Sequence, residues 1–158
     1  MRKRIAKVLL ILAVTGIVAF AANDNTIGTW KLNAAKSKMP ANPPPLKNST
    51  VVREPSDGGV KLTLTGERTD GTQVTVNYTA KYDGTETTIT QTGLRYDTIS
   101  IKQVHANTLT DERKKTGGTY HATGRTVVSS GGKLMTVTIK GTNADGTEFT
   151  TTLVFDKQ

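Results

Sequence analysis

Past its first two dozen residues, the chain alternates apolar and polar positions. In residues 72–82, TQVTVNYTAKY, one parity holds Val74, Val76, Tyr78, Ala80 and Tyr82; the other holds Thr75, Asn77, Thr79 and Lys81. KLMTVTIKG sets Met135, Val137 and Ile139 against Thr136, Thr138 and Lys140. TEFTTTLVFD sets Phe149, Thr151, Leu153 and Phe155 against Thr150, Thr152, Val154 and Asp156. A period of two is the pattern of a half-buried strand, and threonine and valine suit its pleated surface. No segment here repeats its apolar residues at helical spacing over two or three turns. The alternation predicts about ten strands, at 27–33, 48–54, 60–68, 72–82, 85–91, 96–104, 108–115, 119–129, 133–142 and 147–156.

Turn signals separate these runs: Asp57-Gly58-Gly59, Asp70-Gly71, Asp83-Gly84, Gly117-Gly118, Gly131-Gly132 and Asp145-Gly146. Asp-Gly between alternating strands favours a hairpin, because both residues tolerate positive φ. Asp-Gly-Thr occurs at 70–72, 83–85 and 145–147. The repeat is read as a corner of the fold; a calcium loop would need further spaced carboxylates, which are missing. One connection is long, AAKSKMPANPPPLK at 34–47. Its prolines 40, 43, 44 and 45 exclude a regular helix and predict an extended strap. Short links make sequence neighbours into sheet neighbours. The expected fold is all-β, an up-and-down antiparallel meander of about ten strands closed into a barrel, which removes exposed edges. A two-sheet sandwich is the alternative.

The chain opens MRKRIAKVLLILAVTGIVAFAANDN. Arg2, Lys3, Arg4 and Lys7 precede an apolar run from Val8 to Phe20, and Ala19-Phe20-Ala21 places small residues before a cut. This three-part pattern predicts a signal peptide at 1–21, and a barrel domain over 22–158 that is exported to the periplasm or beyond the cell. The rival is an uncleaved anchor, but the run is short for a span and Thr15 and Gly16 interrupt it. Removing residues 1–21 takes away those four basic residues and no acid, so the formal net charge falls from +8 to +4. The remaining basic residues are scattered, apart from Arg113-Lys114-Lys115. A concentrated basic patch with stacking aromatics is absent, so no nucleic-acid partner is expected. The absence of cysteine excludes structural disulfides, thiolate zinc sites and lipid attachment at cysteine.

Residues 27–33, IGTWKLN, carry a resemblance. Gly28-Thr29-Trp30 resembles the Gly-x-Trp signature opening the first strand of lipocalins and fatty-acid-binding proteins, the calycin barrels. The tail, SSGGKLMTVTIKGTNADGTEFTTTLVFDKQ, is similar in order and spacing to the last strands of fatty-acid-binding proteins. The chain after residue 21 also resembles bacterial secreted lipocalin-like proteins. This implies a calycin barrel with an interior ligand and Trp30 at its closed end, under a basic residue for which Arg125 is one candidate. Two departures stand out. The proline-rich 34–47 takes the place of a covering helix-turn-helix, and Leu153 and Phe155 occupy the positions of an Arg-x-Tyr carboxylate clamp.

Chemistry is sparse. His105 sits in a turn and His121 on an outward parity, with no nucleophile or carboxylate pattern beside either, so neither catalysis nor a metal site is expected. No cofactor is implied. In TLTDERKK, 108–115, parity sends Leu109, Asp111 and Arg113 inward. Such charges either reach water at a mouth, neutralise each other, or anchor a ligand. The expected function is an exported, monomeric binding barrel for a small apolar or amphipathic molecule, not inserted stably in a membrane. The expected contacts are Val74, Val76, Tyr78, Ile99, Ile101, Val137 and Phe149, with Arg113 as the basic anchor. The alternative is an envelope-associated barrel with a filled core, recognising a partner through its loops.

Overall fold

The three Asp-Gly-Thr repeats prove to be one device used three times. In each, the aspartate Oδ1 accepts a hydrogen bond from the backbone N–H of the threonine two residues on: 3.0 Å at Asp70, 2.9 Å at Asp83 and 3.0 Å at Asp145. The glycine between takes φ of +86°, +85° and +84° respectively, a region that side chains disfavour. These side-chain turns close the chain back on itself between runs of alternating residues.

In the computed structural model, which describes residues 23–158, the runs form one antiparallel sheet. The strands are β1 (Gly28–Leu32), β2 (Leu46–Ser56), β3 (Gly59–Arg68), β4 (Gln73–Lys81), β5 (Thr87–Thr88) and β6 (Thr90–Thr92). They continue as β7 (Thr98–His105), β8 (Thr108–Lys114), β9 (His121–Val128), β10 (Leu134–Thr142) and β11 (Glu148–Lys157). Their order across the sheet is β5-β7-β8-β9-β10-β11-β1-β2-β3-β4-β6. The last strand pairs with the first, with Trp30 opposite Lys157, so the meander folds round into a nearly closed barrel. The expected signal peptide at 1–21 lies outside the described residues. Among the described residues no helix is long and apolar enough to cross a membrane.

The expected single strand at 85–91 is instead two short ones. Thr87 and Thr88 pair with β7, whereas Thr90 to Thr92 pair with β4. Ile89 lies between them, buried, and its N–H reaches Asp97 O at 2.9 Å. One segment thus serves both sides of the seam, and the two ends of the sheet are joined through a single residue. Alternation along one strand carries no information about a change of partner, which is why this break was not predicted.

The strap begins with a short 3₁₀ turn at Ala34–Lys36, capped by the Asn33 side chain, and then runs extended. Lys38 pairs with Thr152, and Thr69 N–H bonds Pro45 O at 2.9 Å, so the strap is tied to β11 and to the β3–β4 turn. It crosses one end of the barrel.

The opposite end is built around Trp30, which is completely buried. Its indole Nε1 donates to Thr26 O at 2.8 Å. Thr26 Oγ1 accepts from Arg53 Nε at 3.0 Å and donates to Asp24 Oδ1 at 2.6 Å. Tyr82 closes the network by donating to Asp24 Oδ2. Every polar group in this plug is satisfied, which is what burial of an arginine and a carboxylate requires. The basic residue over the tryptophan is Lys157, its Nζ 5.0 Å from the ring centroid. Arg125, the candidate from sequence, lies exposed on the outer face of β9. The register explains the difference, because β11 lies directly beside β1.

Candidate functional site

Between plug and strap the barrel encloses two adjoining cavities that share the walls Leu64, Val76, Tyr96, Arg113, Ile139 and Leu153. The upper one, beneath the strap, measures about 160 Å³; the lower, toward the plug, about 90 Å³. Inward parity builds both. Val74 and Phe149 line the upper cavity, and Tyr78, Ile99, Ile101 and Val137 the lower, while Val76 and Arg113 face both. The residues singled out from sequence therefore converge on one interior space. Leu153 also faces both cavities and Phe155 the lower one, so the inner face of β11 offers apolar surface there.

Arg113 stands at the waist. Its Nε donates to Asp111 Oδ1 at 2.6 Å and its Nη2 to Asp111 Oδ2 at 3.3 Å. The two side chains are only 14% and 6% exposed, so this is a buried, two-pronged ion pair. Burial, the largest single influence, would lower the affinity of the guanidinium for its proton; the charge and hydrogen bond of Asp111, together with Tyr96 and Tyr78, outweigh it, and the net shift is upward. The pair has a made-to-measure seat. Asp111 lies opposite Gly124 of β9, and a Cβ there would collide with the Asp111 carboxylate. Of the three readings open from sequence, mutual neutralisation describes this pair, and it does so inside the cavity.

Above the pair runs a column of aromatic rings. The Arg113 Cζ sits 5.3 Å from the Tyr96 ring centroid; Tyr96 stacks on Tyr120 at 6.1 Å, and Tyr120 on Phe149 at 5.9 Å. Burial pushes the Tyr120 hydroxyl up to about 12 and raises that of Tyr96 as well, so both stay neutral donors at physiological pH. The wall is flat and apolar with a few hydroxyls, a surface suited to an extended or planar apolar body.

The mouth holds residues that the sequence reading missed. Arg68, 9% exposed, donates from Nη1 to Pro44 O at 2.7 Å and from Nη2 to Gly93 O at 3.1 Å. Arg95 donates to Asn143 Oδ1 at 2.6 Å and Asn42 Oδ1 at 2.7 Å. Met39, Pro40, Pro43 and Pro45 of the strap form the roof. Parity could have found Arg68, which is in phase with the buried Val60 and Leu62 and with Leu64 on β3. Arg95 lies in the loop between β6 and β7, where no period operates.

His105 and His121 are both exposed, and neither lines the two interior cavities. Among the described residues no group of three or more His, Asp or Glu side chains is placed to hold a metal ion. No protein-family model and no curated protein sequence matches the chain.

Proposed function

We propose that the chain is an exported, calycin-like carrier that holds a small apolar or amphipathic molecule inside its barrel, without catalysis. One observation carries this reading: the interior is not filled by side chains, but keeps a waisted, mostly apolar cavity roofed by a strap. A barrel serving only as a scaffold gains by packing that space, since each void forfeits contact energy. Apolar burial along the aromatic column would supply affinity, and the few polar groups would set orientation. Gly28-Thr29-Trp30 and the pairing of first and last strands are consistent with a calycin barrel.

A second reading has its own support. The lower cavity is small and hemmed in by the Asp111–Arg113 pair and Tyr78, so that half of the barrel approaches a filled core. An envelope protein recognising a partner through its loops fits that half. Native mass spectrometry of protein purified from its own host separates the two. A co-purifying small molecule, lost on denaturation, supports the carrier. Protein of bare mass that also binds no apolar fluorescent probe supports the scaffold.

A further inference from the structure

The cavity lining contains more positive than negative charge: Arg53 reaches the Asp24 carboxylate only through Thr26 and Tyr82, and the mouth holds two further arginines. Arg113 is answered by Asp111. Arg68 and Arg95 have no carboxylate within ion-pair distance among the described residues; their four hydrogen bonds go to two backbone carbonyls and two asparagine amides. The acids whose charge reaches them, Asp70 for Arg68 and Asp145 for Arg95, are in exposed turns with other duties: Asp70 caps Thr72, and Asp145 caps the N–H and hydroxyl of Thr147. The two guanidiniums also feel one another. Arg68 is held below its usual value chiefly by burial, with Asp70 opposing and the Arg95 charge adding to the lowering.

Two cations beside one apolar cavity, satisfied only by neutral oxygens, are under-compensated. An oxyanion arriving there would replace an amide oxygen with a charged acceptor, whose hydrogen bonds are roughly twice as strong. Arg95 is the group able to make that exchange, because it is partly exposed and its partners Asn42 and Asn143 are side chains on a strap and a turn. Arg68 is deeper and tied to main chain, so it supplies fixed positive charge. The aromatic column leads from this point toward the waist, giving an apolar tail somewhere to lie.

We propose that Arg95, backed by Arg68, forms a head-group subsite for an amphiphile with a single oxyanion head such as a carboxylate, bound head at the mouth and tail toward Arg113. The strap, through Asn42, takes part in that subsite. The proposal rests on the carrier reading above and specifies the ligand's charge and direction.

The test is calorimetric titration of the folded barrel domain with decanoate, decanol and decylamine, at low and at physiological salt. The parent protein should bind decanoate at least about tenfold more tightly than decanol, and decylamine most weakly. Arg95→Gln keeps a polar amide at the mouth but removes the charge. It should weaken decanoate about ten- to a hundredfold, the loss expected for one charge-assisted hydrogen bond, and weaken decanol far less, so that most of the preference for decanoate is lost. Arg125→Gln, the same charge change on the outer face, should leave all three affinities alone. Equal affinity of the parent for decanoate and decanol overturns the subsite while the carrier reading stands, and so does an undiminished preference in Arg95→Gln. If the parent binds none of the three, the carrier reading falls and the subsite with it.

Discussion

The two ends of this barrel both enclose arginine, and they treat it in opposite ways. At the plug, Arg53 lies within a closed network of Thr26, Tyr82 and Asp24 beneath a completely buried tryptophan. At the mouth, Arg68 and Arg95 hold a strap to neighbouring loops through neutral oxygens alone. Arg53 too donates only to neutral oxygens, but Thr26 and Tyr82 pass those bonds on to the Asp24 carboxylate, whereas at the mouth no carboxylate joins the chain and a better partner can be accepted. A closed network adds stability and specificity of packing, whereas under-compensated charge beside a cavity favours recognition. The difference divides the molecule into an end that holds the fold and an end that could exchange contacts.

The most severe way to break the comparison is at Trp30. Trp30→Ala should destabilise the protein by about 3–5 kcal/mol, the usual cost of truncating a buried aromatic. Urea denaturation followed by circular dichroism measures it, since the variant has lost its only tryptophan. In the parent, the native emission of that tryptophan should be blue-shifted. Arg95→Gln, at the other end, should stay within about 1 kcal/mol of the parent in the same assay. Equal losses at the two ends would erase the distinction.

Next comes the waist, where a buried pair separates the ends. Asp111→Ala leaves the Arg113 guanidinium without its counter-ion and should cost about 3–5 kcal/mol. Replacing both partners, Asp111→Leu with Arg113→Met, should cost much less, because no buried charge is then stranded. Chemical denaturation of the three proteins decides it. A double variant as unstable as the single one would mean that the loss comes from packing around Gly124 and not from the charge.

How much of this was open to a reader of the sequence depends on whether the information was local. Period-two alternation placed Val74, Val76, Ile99, Ile101, Val137 and Phe149 on inner faces, and the structure turns them all inward. The Asp-Gly-Thr turns were readable because the aspartate, the glycine and the threonine each act within two residues. Asp111 and Arg113 were readable as inward-facing, being in phase with Leu109, and their mutual neutralisation was one of three readings that parity left open. What escaped was set by distance along the chain. Arg95 meets Asn42 and Asn143 across 53 and 48 residues, and nothing near any of the three announces the meeting. The same holds for Lys157 and Trp30, joined only by the closing of the barrel.

A milder perturbation comes from acid. Asp97 is held at about 2, first by the hydrogen bond from Lys115 and then by that from the Thr116 N–H. Asp70 and Asp83 are lowered mainly by the backbone N–H of the threonine they cap, and Asp145 by the Thr147 hydroxyl and then its N–H. Carboxylates depressed in the folded state bind protons more readily when unfolded. Their contribution is therefore complete above the ordinary carboxylate value of about 4 and is lost as pH falls from there toward 2. The melting temperature should be level from pH 8 to pH 5 on their account and decline below pH 4. Asp97→Asn should make that decline shallower; a slope identical to the parent's would remove Asp97 from the account.

The smallest expected effect concerns the lysine over the tryptophan. Lys157 Nζ lies 5.0 Å from the Trp30 ring centroid, and the side chain is exposed to water. A cation at that height over an indole contributes about 0.5–1 kcal/mol at an exposed site, less than the burial of the ring itself. Lys157→Met keeps an unbranched apolar chain over the ring and removes the charge, so it should lose no more than that amount. Arg125→Met, on the outer face of β9, should lose nothing measurable. Urea titrations monitored by Trp30 fluorescence compare the two directly, and high salt should narrow the gap if the interaction is electrostatic. A larger loss at Arg125 than at Lys157 would reverse the assignment and place the covering cation on β9. A null result at both would leave the plug held by the Thr26, Arg53, Asp24 and Tyr82 network and by burial of the indole alone, with Lys157 only passing over it.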